Sequence, residues 1–79
     1  MAFYLDIRKL EETTEYVIYE FGDNDTEVGK LCIQKADGGV KELQSAPGDS
    51  SGRRFQRAAS KVIEHWKNGE YPTGTCWAS

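Results

Sequence analysis

The chain has 79 residues, 29% of them charged and 38% hydrophobic, with a formal net charge of -3. A chain of this length closes one core, buries only about 60% of the surface its unfolded state exposes, and has few large apolar residues to spare for a deep pocket. The acid excess argues against general nucleic-acid binding. No apolar run approaches the ~20 residues of a membrane span or the roughly 7 to 15 of a signal-peptide core, so the cytoplasm is the expected compartment and no membrane is expected as a partner.

The first element is a strand over about residues 2–10. In "AFYLDIRKL" the side chains of Phe3, Leu5 and Ile7 alternate with those of Tyr4, Asp6 and Arg8, the period-two pattern of a half-buried strand. "EETTE" interrupts the pattern, and "EYVIYEFG" resumes it over about 15–22, with Val17, Tyr19 and Phe21 on one face and Tyr16, Ile18 and Glu20 on the other. "DNDTE", residues 23–27, reads as a turn, since Asp and Asn bond their own backbone and tolerate left-handed conformations. A third strand follows over about 28–35, with Leu31 and Ile33 as its core pair, and Asp37-Gly38 predicts a tight type I′ hairpin into a fourth at about 39–44.

Beyond "SAPGDSSG" the period changes. Phe55, Ala58, Ala59, Val62, Ile63 and Trp66 fall at the spacing of one apolar stripe on a helix of about four turns, predicted over about 51–68, with Gly69 suited to its left-handed cap. Residues 69–79 show no periodicity, but Tyr71 and Trp77 predict that this tail packs against the body. The expected fold is a single α+β domain, a four-stranded antiparallel meander with one C-terminal amphipathic helix over one face (ββββα). Its predicted core is Phe3, Leu5, Ile7, Val17, Tyr19, Phe21, Leu31 and Ile33.

"GDSSG" satisfies the G-x-S-x-G pattern of a serine-hydrolase nucleophile turn around Ser50. The single histidine, His65, lies on the same helix about 22 Å further along at ~1.5 Å per residue, too far to serve as the base. Asp49, Ser50 or Ser51 as a helix N-cap explains the same letters, and the motif is read as accidental. One His with two distant cysteines falls short of a zinc ligand set. No metal, cofactor or catalytic role is expected, and Cys32 and Cys76 are expected as reduced thiols.

Two surfaces stand out. Residues 53–67 carry five Lys or Arg against one Glu, whereas residues 1–52 carry five against eleven Asp or Glu. Arg53 and Arg54 sit in the first helical turn, where each cation costs about 0.3 to 1 kcal/mol against the helix dipole. Arg53, Arg54, Arg57 and Lys61 therefore form a candidate ridge. It pairs with acidic loops of its own domain (Glu11, Glu12, Asp23, Asp25, Glu27), or binds an anion at the free amides, or meets an acidic partner or nucleic acid. The second surface is the sheet face away from the helix, where Tyr4, Tyr16 and Ile18 resemble the centre of an association surface. Such a face can equally be left wet, or Trp77 of the tail can fold back over it. The expectation is a non-enzymatic protein-protein interaction or self-association module, whose partner is another protein or a second copy. The alternative is anion or nucleic-acid binding through the helix ridge.

Overall fold

In a computed structural model the chain forms β1 (Tyr4–Glu12), β2 (Tyr16–Gly22), β3 (Val28–Gln34), β4 (Val40–Gln44), α1 (Arg53–Lys67) and β5 (Gly74–Ala78). The structure describes residues 4–22, 28–49 and 51–78. Phe3, residues 23–27 where a turn is expected, and Ser50 lie outside these residues.

The antiparallel meander of the first four strands is present, with β1 on β2, β2 on β3 and β3 on β4. The expected packed tail is instead a fifth strand, which changes the order to ββββαβ. It pairs antiparallel with β1, setting Leu5 against Trp77 and Ile7 against Thr75, so the sheet order is β4-β3-β2-β1-β5. The helix thus carries the chain from one edge of the sheet to the other. Trp77 shares the core face with Leu5, which corrects the reading that the tail covers the tyrosine face.

The predicted core residues within the described region, Leu5, Ile7, Val17, Tyr19, Phe21, Leu31 and Ile33, are all buried, joined by Ala46, Ala58 and Val62. They are the period-two residues of three neighbouring strands meeting the apolar stripe of one helix, which is how two layers bury both faces. Phe55 packs its ring at a tilt on Phe21, with centroids 6.2 Å apart. The Trp66 indole N–H donates to the Lys35 carbonyl at 2.9 Å, fastening the helix to the β3–β4 hairpin.

That hairpin is not the predicted type I′ turn. Gly38 has φ 73° but Asp37 does not enter the left-handed region, and Gly38 N–H returns to the Gln34 carbonyl at 2.9 Å across a wider loop. Within it the Gly39 amide donates to Asp37 Oδ1 at 2.9 Å, and the Trp66 ring lies so close over Gly38 that a Cβ there would sit 2.8 Å from it, which closes this position to any other residue.

Glu12 ties three segments together. Its carboxylate accepts from Lys9 at 2.6 Å and from Lys35 at 2.7 Å; Lys9 also donates to the Tyr71 carbonyl, and Lys35 lies over the Tyr71 ring. The hydrogen bond from Lys35, then that from Lys9, holds the Glu12 carboxyl down from its ordinary 4.5 to about 2. A carboxylate depressed by folding stabilises the fold above its unfolded value and ceases to as pH falls through its folded one. Glu12→Gln is therefore expected to lower the urea midpoint at neutral pH and to flatten its decline between pH 4.5 and about 2. Urea titrations of both proteins across that window check it, and parallel declines would refute it.

Candidate interaction surface

The basic helix turns out less available than its letters suggest. The amides of Arg54 and Phe55 donate to the two oxygens of the Asp49 carboxylate, at 3.1 and 3.3 Å. Asp49 thus caps the helix from outside its first turn and supplies the negative charge that offsets Arg53 and Arg54 against the dipole. These amides are the groups on which an anion at the helix start would rely, and they already hold a carboxylate of the same chain. The four ridge residues also divide. Arg53 and Arg57 are exposed and border an open hollow with Gln56, Ser60 and Trp77, and the Arg57 guanidinium lies 5.4 Å over the Trp77 ring. Arg54 and Lys61 are half-buried, and Lys61 approaches Glu64 at 3.9 Å.

Of the acidic residues expected to neutralise this ridge, Glu12 pairs with Lys9 and Lys35 instead, and Glu11 accepts from the Tyr16 hydroxyl at 3.0 Å. His65 contacts Thr75 Oγ1 at 3.2 Å and Glu70 at 3.5 Å, which places it in the seam between α1 and β5.

The sheet face away from the helix carries the more informative pattern. Tyr16 and Ile18 stand there on β2, half-buried, beside Cys32 on β3, whose thiol is pushed up chiefly by burial. Tyr4 shares the face but not the cluster. It pairs with Ala78 at one end of the sheet while Tyr16 pairs with Gln34 at the other, more than ~20 Å away at ~3.4 Å per residue. The Tyr4 hydroxyl instead donates to Asp6 at 2.6 Å. Between the two ends runs a charged row in which Arg8 and Glu20 form a salt bridge and Lys30 faces Glu20.

Two leucines complete the apolar group. In β1, Lys9 faces Tyr19 and the next paired residue, Glu11, faces Ile18, which leaves Leu10 as the extra residue of a β-bulge. A bulge places two residues opposite one, so Leu10 and Glu11 both accompany Ile18 on the open face. In β4, Glu42 faces Leu31 and Gln44 faces Lys30, so Leu43 is the extra residue there and again joins the open face. Leu10 is 48% exposed and Leu43 49%. Leu10, Ile18 and Leu43, with Cys32 buried to 9% exposure between them, thus form a band from β1 to β4, about 14 Å across at ~4.8 Å per strand, with Tyr16 at its margin. Glu11 and Lys41 close its two ends.

The sequence reading missed both leucines. Their signal is phase: Leu10 is even-numbered where the core residues Leu5 and Ile7 are odd, and Leu43 is odd where Val40 is even. An apolar residue out of phase within a strand marks either an exposed position or a bulge, and here it marks both. No protein family, curated protein or solved structure matches the chain. Among the described residues no helix is long and apolar enough to cross a membrane.

Proposed function

We propose that this protein works by binding another protein chain through the open face of its sheet, with Leu10, Ile18, Cys32 and Leu43 as the apolar centre and Tyr16 at the edge. The observation that carries this reading is the pair of half-exposed leucines, Leu10 on β1 and Leu43 on β4. Alternation sets both on the open face, on either side of Ile18, and the bulges beside them bring Glu11 and Gln44 to the same face, so the apolar band is framed by polar groups with Glu11 and Lys41 at its ends. An apolar centre with a polar rim is the composition of an association surface. In so small a domain, leucines left about half exposed each forgo roughly half of the ~1.5 to 3 kcal/mol that full burial supplies.

Ile18→Asp should abolish stoichiometric capture of a protein partner by the immobilised chain, while Arg57→Glu on the helix leaves it unchanged. Capture that survives Ile18→Asp and is lost with Arg57→Glu would overturn the assignment. Nucleic acid in the eluate, released steeply as salt rises, would instead assign the function to Arg53, Arg54, Arg57 and Lys61.

A further inference from the structure

We infer that the partner on this face is a second copy of the same chain, packed sheet against sheet about a two-fold axis that runs along the strands between β2 and β3. The inference rests on the binding reading above and adds the identity and geometry of the partner. It comes from the charge pattern across the open face. Read from β1 to β4, one cross-strand row is Glu11, Ile18, Cys32, Lys41, and the next is Arg8, Glu20, Lys30, Gln44.

A two-fold axis along the strands lays β1 of one copy over β4 of the other, and β2 over β3. Glu11 then meets Lys41 of the second copy, Glu20 meets Lys30 of the second copy, and Ile18 meets Cys32 of the second copy. Each of these contacts occurs twice. Arg8 faces the neutral Gln44, and Tyr16 faces Gln34, an amide within reach of a phenol hydroxyl. No like charges are opposed in either row. An axis across the strands through the first row would set Glu11 on Glu11 and Lys41 on Lys41, and one between the two rows would set Ile18 on the carboxylate of Glu20 and Cys32 on Lys30. A self-complementary patch of this kind is what an isologous interface requires.

The remaining geometry agrees. The face is a single sheet surface, and two such surfaces stack about 10 Å apart with strands nearly aligned, a distance that Leu10 and Leu43 from both sides help to fill. β5 and Tyr4 lie beyond the overlap, which accounts for Tyr4 standing apart from the apolar band and binding Asp6 instead. Within one copy Glu11 and Lys41 are separated by three strand spacings, about 14 Å, so they cannot pair with each other.

That separation makes the test decisive. Sedimentation equilibrium of the wild-type chain, up to millimolar loading, should show a reversible dimer. Glu11→Lys and Lys41→Glu should each weaken self-association by about a hundredfold or more, because every homodimer then opposes like charges twice. Mixing the two variants in equal amounts should restore a one-to-one heterodimer close to wild-type affinity, since both contacts become Lys with Glu again. Both positions are exposed, so at concentrations low enough to keep every chain monomeric the thermal melts of the separate variants should match the wild type.

A wild-type chain that stays monomeric throughout overturns the second copy; the binding reading then still stands if Ile18→Asp abolishes capture of a different protein. A dimer lost in Ile18→Asp but not rebuilt by the charge-swapped mixture overturns the two-fold arrangement. A dimer indifferent to Ile18→Asp overturns the inference and the binding reading together.

Discussion

Gly29→Ala is expected to destabilise the domain by about 1 to 3 kcal/mol or more, the cost of forcing volume into a packed core. Gly29 lies on the core face of β3, opposite Phe21. A Cβ placed there would come within 2.5 Å of the Phe21 ring and 2.8 Å of both the Ala46 nitrogen and the Gln44 carbonyl oxygen. The ring can turn aside, but the two backbone atoms belong to the segment that leaves β4 and carries buried Ala46 into the core, and they move only if β4 moves. For a domain of this size each kcal/mol lowers the melting temperature by roughly 4 to 8 °C. Circular-dichroism melts of both chains measure it, and an unchanged midpoint would show that β4 and its exit segment yield without cost.

Ending the chain at Thr73 is expected to remove cooperative unfolding altogether. β5 is only five residues long, yet it covers the outer edge of β1, places Trp77 beside Leu5 and Thr75 beside Ile7, and presents Thr75 Oγ1 to His65. Without it the backbone of β1 is left as an open edge next to buried Leu5 and Ile7, a template for aggregation. Trp77→Ala in the full chain separates the side chain from the strand. Burial of a large aromatic is worth about 3 to 5 kcal/mol when complete, so this half-buried indole should cost less, and the variant should still melt cooperatively. A truncated chain that melts at the wild-type midpoint would return residues 74–78 to the status of a dispensable tail.

The residues that announced their place were those whose local pattern repeated. Val17, Tyr19 and Phe21 alternate over a full strand length, and Phe55, Ala58, Val62 and Trp66 repeat over a full helix. β5 did not announce itself because Thr75 and Trp77 are only two inward positions, preceded by Pro72 and Gly74, and two positions define no period. The wider hairpin at Gly38 escaped because Asp-Gly is compatible with more than one loop length, and the alternation of β3 and β4 does not choose among them. At the candidate surface, Tyr16 and Ile18 were legible from alternation alone. Leu10 and Leu43 share that alternation, in phase with Arg8 and Lys41; what alternation hides is the two bulges, which bring Glu11 and Gln44 to the same face. Tyr4 was misplaced for the same reason: alternation assigns a face and says nothing about distance along it.

The adjacency of β1 and β5 fixes how the domain bears load. Tyr4 lies opposite Ala78, so tension applied at these two residues acts on neighbouring strands at the same end of the sheet. Their ladder then opens like a zipper, one pair after another from Tyr4–Ala78 through Leu5–Trp77, instead of resisting in shear with all its hydrogen bonds at once. The domain should therefore yield at low force when stretched from its ends, and the first event should be the peeling of β5, which uncovers Leu5 and Ile7 while the meander of β1 to β4 is still paired.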